Sequence, residues 1–138
     1  INIFLEEEVP CLVNEWNGFV PSHRFRAYIK KLLELYREYR SDYQHLSLLA
    51  DTRNLHVLSA NDIAWVCREI NPEYRELGCL FEAFVAPKDV CGGLTLKSYI
   101  SESNSAGALT TGMFSDLPEA KGWLRQMQST LGHLVMSH

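Results

Sequence analysis

The chain has 138 residues, enough for one domain with a sizeable buried core. Its residues are 46% apolar and 22% charged, with a net charge of −4 and no biased tract, the composition of an ordinary globular protein. No apolar stretch approaches the roughly 20 residues a membrane span needs. The basic residues Lys30, Lys31, Arg37 and Arg40 are interleaved with Glu34 and Glu38, which reads as an exposed helix face and argues against nucleic acid as a partner.

In chain order, Asn2 to Glu7 alternates loosely, breaks at Val9-Pro10 and is followed by Cys11 to Trp16, which predicts two strands joined as a hairpin. Pro21-Ser22 opens a long helix to about Arg40, with Phe25, Ile29, Leu32, Leu33, Tyr36 and Tyr39 on one core-facing stripe. His45 to Ala50 is an apolar run that suits a strand buried on both faces. Helical spacing returns over residues 60 to 70 through Ile63, Val66, Cys67 and Ile70. Asn71-Pro72 is expected to interrupt it before a short turn from Glu73 to Leu77, ended by Gly78.

CLFEAFVAP, residues 79 to 87, is the most apolar strand. Val90 to Ser103 reads as a helix, Ser101 to Gly107 as the loosest loop and Ala108 to Phe114 as the last strand. Asp116, Pro118 and Glu119 start a closing helix with Ala120, Trp123, Leu124, Met127 and Leu131 on one stripe. The order ββαβαβαβα implies a single α/β domain, a mixed and mostly parallel sheet flanked by helices.

Four features bear on chemistry. Asp51, Arg53 and His56 follow the third strand at its carboxyl end, where α/β proteins bind ligands; the alternative is that Asp51 and Arg53 pair and tie down the chain. Ser59-Ala60-Asn61-Asp62 has the form of a capping box; its serine lacks a nucleophile elbow, and His56 is the one local base. CGGLTLKS, residues 91 to 98, places Gly92, Gly93 and Lys97 as an anion site, but Leu96 stands where a phosphate loop needs glycine. Of the aromatic pool Trp16, Phe19, Trp65, Phe81, Phe84, Tyr99 and Trp123, most belong to the core, while Trp65 lies off its helix's apolar stripe and could line a pocket or an interface.

Cys11, Cys67, Cys79 and Cys91 form no CxxC pair and sit among apolar neighbours, as scattered thiols do in a reducing cytoplasm, so a cytoplasmic setting without disulfides is expected. The five histidines lack helical i,i+4 pairing and nearby cysteines, so no metal is expected. No base, nucleophile and stabilising group converge, so neither an enzyme nor a cofactor is expected. Nothing signal-like is read in the first residues.

Asp51 and Arg53 after a strand, Trp65 in the next helix, APKDVCGGLTLKS and the closing FSDLPEAKGWL together resemble the small bacterial SpoIIAA-like (STAS-like) proteins, from the first hairpin to Leu124. The resemblance implies a mixed sheet flanked by helices and a protein partner. Its best-understood members are anti-sigma factor antagonists that bind a kinase-like partner and are switched by serine phosphorylation at a strand-to-helix junction. Asn61 falls where that serine would stand, so the switch does not carry over.

A non-enzymatic interaction module is therefore expected, with Asp51, Arg53, His56 and Trp65 as contacts. The second reading is a binder of a small apolar or lipid-like ligand between the sheet and the second helix. The edge hairpin and the tyrosine-bearing first helix could support a homodimer.

Overall fold

Backbone hydrogen bonds convert the alternating segments into β1 (Asn2–Glu6), β2 (Cys11–Gly18), α1 (Ser22–Tyr39), β3 (Ser47–Leu55), α2 (Ala60–Trp65), α3 (Asn71–Glu76), β4 (Phe81–Val85), α4 (Val90–Ala106), β5 (Thr110–Phe114) and α5 (Leu117–Met136). The computed structural model describes residues 1–136, with side chains as far as Leu131. The five strands form one sheet in sequence order; β1 pairs antiparallel with β2, and β2, β3, β4 and β5 run parallel. No helix among the described residues is long and apolar enough to cross a membrane.

Adding parallel strands in one direction by crossovers of one hand places every crossover helix on the same face. That face carries α1, α2, α3 and α4, whose Phe25, Leu32, Leu33, Tyr36, Ile63, Leu96 and Tyr99 pack with Leu12, Leu48, Ala50 and Phe84 of the sheet. The opposite face holds Cys11, Val13, Leu49, Phe81, Ala83 and Val85, covered by Ala120 and Leu124 of α5. The apolar stripes of α1 and α5 thus pack as read, with Ile29, Tyr39, Trp123, Met127 and Leu131 at their half-buried margins.

Three expectations are corrected. First, β3 runs on to Leu55, so Asp51 and Arg53 stand within the strand and not on a loop after Ala50. The polar tail is held by pairing with β2, and two residue steps of β2 (Glu15 to Asn17) face three of β3 (Asp51 to Asn54). That bulge breaks the alternation which would have announced the strand.

Second, Asn71-Pro72 does not interrupt the helix. A proline inside a helix lacks an amide donor and crowds the carbonyl four residues back. Here Val66–Ile70 widens into a π-helical turn, with the Asn71 amide donating to the Val66 carbonyl, and the chain passes into α3 without leaving helical backbone. Third, the Ser/Asn-rich stretch expected as a loop is the last turn of α4. Ser103 is buried, and the helix ends only when Gly107 adopts a left-handed φ of 75° and its amide donates to the Ser103 carbonyl.

Two glycines separate backbone conformation from packing. A Cβ at either Gly107 or Gly122 would meet nothing within 4 Å, but only Gly107 has positive φ. Gly107→Ala should therefore lower stability by about 1 kcal/mol, and Gly122→Ala inside α5 should raise it by up to about 1 kcal/mol. Urea unfolding midpoints at unchanged m-value check both, and equal signs for the two variants would contradict the assigned cap.

Candidate functional site

The expected contacts do not form one cluster. Asp51 is buried on the α5 face of β3, where it accepts from Arg53 Nε at 2.9 Å, Arg53 Nη2 at 2.7 Å and the Arg53 amide at 3.2 Å. The Arg53 hydrogen bonds hold the Asp51 carboxyl below its usual range against the opposing effect of burial. His56 is exposed just beyond β3, its amide bonded to the Gly18 carbonyl at 3.1 Å.

Ser59 is the helix cap, its Oγ accepting from the Asp62 amide at 3.1 Å. The Asp62 side chain turns away to α1, accepting from Ser22 Oγ at 2.6 Å and Arg26 Nε at 2.9 Å. Burial opposes its charge, but these bonds hold the carboxyl below its usual range. Trp65 is half-buried beneath Arg26, whose Cζ lies 4.8 Å from the ring centroid.

At the start of α4, the amide of Gly92 donates to Asp89 Oδ2 at 3.1 Å and that of Gly93 to the Asp89 carbonyl at 2.9 Å, while Lys97 is exposed further along the helix. The acidic cap already stands where an anion would meet the Gly92 amide. Cys11, Cys67 and Cys79 are buried and Cys91 is exposed, all as free thiols. Burial pushes each of the three buried thiols up to about 12, well above a reactive range.

The least expected group is Glu82. It is the one charged residue in the apolar β4, paired in register with Leu48 of β3 and buried on the helix-covered face. Tyr99 of α4 donates its hydroxyl proton to Glu82 Oε1 at 2.7 Å. Asn71 Nδ2 at the head of α3 in turn donates to Tyr99 Oη at 3.0 Å and to Ser103 Oγ at 3.4 Å. The chain Glu82–Tyr99–Asn71–Ser103 thus binds β4, α3 and α4 together inside the core. Close by, Tyr74 is buried, and its hydroxyl has no hydrogen-bond partner among the described residues.

Glu82, Tyr99, Asn71 and Tyr74 stand at the foot of a cavity of about 70 Å³ between the sheet and its helices. Leu48, Ala50 and Phe84 form its floor, Trp16, Phe25 and Ile63 its walls, and Leu55, Leu58 and Leu96 lie towards the carboxyl ends of the strands. Its volume is that of about two waters and roughly half that of a cavity that takes benzene. Among the described residues, no Lys, Arg or His lines it. Burial pushes the Glu82 carboxyl up to about 7, opposed by the Tyr99 hydrogen bond.

Sequence reasoning passed over Glu82 because β4 reads as uniformly apolar. The one signal was the exception itself, a carboxyl inside a strand buried on both faces. Tyr74 and Asn71 were hidden behind the expected helix break. Around the carboxyl ends of the parallel strands, a different feature appears: Phe19, placed in the aromatic core pool by its sequence, is 72% exposed, and Val90 is 76% exposed. Val57 and Leu94 are exposed as well. No family model matches the chain, and no curated protein or solved structure does so either.

The buried carboxyl has a stability signature. Its folded pKa lies above the unfolded value near 4.5, so the folded state holds the proton more tightly. Stability is therefore undiminished below pH 4.5 and falls as pH rises towards 7, by roughly 3 kcal/mol in all. Asp51 and Asp62 act oppositely, stabilising above their unfolded values near 3.8 and losing that contribution as pH falls. Glu82→Gln should flatten the decline between pH 5 and 8 in urea titrations; an unchanged slope in that variant would show the loss to arise elsewhere.

Proposed function

We propose that this chain is a non-enzymatic, STAS-like interaction module that engages a protein partner with the carboxyl ends of its parallel strands. The observation that supports the reading is the exposed apolar set Phe19, Val57, Val90 and Leu94. Phe19 and Val57 lie on the β2–α1 and β3–α2 connections, and Val90 and Leu94 on the first two turns of α4, segments that backbone bonds tie to their neighbours. The His56 amide reaches the Gly18 carbonyl, and the Lys88 amide reaches the Arg53 carbonyl at 3.1 Å. Large apolar side chains gathered at one end of a sheet cost solubility unless a partner covers them. Arg53 and His56 supply a polar margin, and Trp65 of α2 with Arg26 of α1 a second one.

The helical junction at Ser59 to Asp62 has no phosphorylatable group at Asn61, and the Ser59 hydroxyl is engaged in capping. Partner binding in this reading is therefore constitutive. The mixed sheet with helices agrees with a STAS-like topology.

A second reading, favoured by the cavity at Glu82, is a site for a small, mainly apolar ligand between the sheet and the second helix. The two readings use different residues and can hold together.

The interaction reading is tested with Phe19→Asp combined with Leu94→Asp, which change exposed positions and leave the Asp51–Arg53 pair intact. The protein should stay folded by circular dichroism and lose at least about tenfold in affinity for the partner that the unmodified chain enriches from its host, since central apolar contacts carry most binding energy. Undiminished binding by the folded double variant would place the interface elsewhere.

A further inference from the structure

We propose that the cavity at Glu82 is a binding site for a small organic ammonium ion, with the nitrogen against the free side of the Glu82 carboxylate and the alkyl part between aromatic rings. The inference rests on the ligand-binding reading above and names the chemistry of the ligand.

Three independent observations converge on it. The first is charge: among the described residues Glu82 is the one group of ordinary carboxylate, ammonium or imidazole type on the cavity wall, with no described Lys, Arg or His there to neutralise it or to hold an anion. A buried carboxylate without a cation is costly. An anionic ligand would meet like charge, whereas an ammonium would complete an ion pair.

The second is the wall itself. Trp16, Phe25, Tyr74, Phe84 and Tyr99 all border the space, and Phe84 and Tyr99 meet nearly edge to face, with centroids 5.3 Å apart. Ring faces attract a desolvated cation, which is how aromatic cages recognise alkylammonium groups. The third is unfinished hydrogen bonding. Tyr74 lines the same space, and its hydroxyl, buried and without a partner among the described residues, can accept an N–H. Glu82 Oε1 is taken by Tyr99, which fixes the carboxyl and leaves an ammonium proton to its other oxygen.

The volume sets the size. On the scale of a cavity that takes benzene, about 70 Å³ accommodates roughly three heavy atoms, a nitrogen with two carbons, and a third carbon or a longer chain would extend past Leu55, Leu58 and Leu96 towards the carboxyl ends of the strands. Neighbouring groups leave the electrostatics to Glu82. Facing it are Tyr99 of α4, Tyr74 of α3, Cys67 of the π-helical turn and Cys79 before β4, and burial raises all four so that they remain neutral near pH 7. Because the cation pairs with the ionised carboxyl, its affinity should rise with pH as Glu82 loses its proton.

The test titrates the isotope-labelled full chain with n-propylammonium chloride, 1-propanol and sodium propionate, following backbone and aromatic resonances of residues 71 to 74, 82 to 84 and 96 to 99. Saturable shifts are expected for propylammonium, with affinity roughly tenfold higher at pH 8 than at pH 6. Propanol should bind at least about tenfold more weakly, and propionate not at all. Glu82→Gln, which keeps the shape and the Tyr99 hydrogen bond, should lose propylammonium binding by about tenfold or more while its propanol affinity is unchanged. Propanol or propionate binding as tightly as the amine, or an amine indifferent to Glu82→Gln, overturns the ammonium assignment but leaves the ligand-binding reading standing. Binding of none of the three overturns both.

Discussion

A carboxyl group inside a buried strand sets the terms for the helical layer of this protein. Glu82 cannot be left unbonded inside the core, and the residue that bonds it is in turn held from a second helix. Tyr99 reaches it from α4, and Asn71 steadies Tyr99 from the first residue of α3. Asn71 holds that position because the π-helical turn widens the preceding backbone and lets Pro72 follow without a break. Ser103, the second acceptor of Asn71, lies one turn beyond Tyr99, which explains why α4 persists through its Ser/Asn-rich end. One polar requirement thus accounts for a helix irregularity, a helix length and the packing of two connections.

The winding of the sheet explains where the cavity lies. Strands laid down in sequence order have no reversal point, and so lack the crevice at which doubly wound sheets bind ligands. The helices are gathered on one face, and the space they leave is internal. On the other face α5 closes the core, anchored by Gln128, whose two Nε2 protons are shared among the carbonyls of Pro10 and His45 and Ser47 Oγ, all within 3.0 Å. The two faces are accordingly different in kind, one sealed by a single helix and one assembled from several segments around a polar centre.

Much of this was legible in the sequence where one local signal dominates. The stripe Phe25, Leu32, Leu33 and Tyr36, the cap at Ser59 and the stripe of α5 each follow from spacing of side chains along a single element. The order of strands and helices follows in the same way. The chain was illegible where long-range contacts override local preference. The tail of β3 from Asp51 to Leu55 is polar and bulged, and only its pairing with β2 makes it a strand. Pro72 reads as a break because the π-helical accommodation depends on packing from outside the helix. Phe19 belongs to an aromatic pool of which most is expected in the core, yet its position beyond the end of β2 leaves it in solvent. The candidate site was partly legible at best. Asp51 and Arg53 were readable as a pair, and the geometry gives them to each other, but Glu82 was masked by its apolar neighbours.

The central claim is that Glu82 is buried at the foot of the cavity and held by Tyr99. Carboxyl carbon NMR of the intact protein, with glutamate side chains labelled and the Glu82 signal assigned by its absence from Glu82→Gln, measures this directly. The account predicts a titration midpoint near 7, far above the ordinary glutamate value of 4.5. A midpoint at the ordinary value would mean that water reaches the carboxyl freely, and would contradict both the buried hydrogen-bond chain and the site built on it.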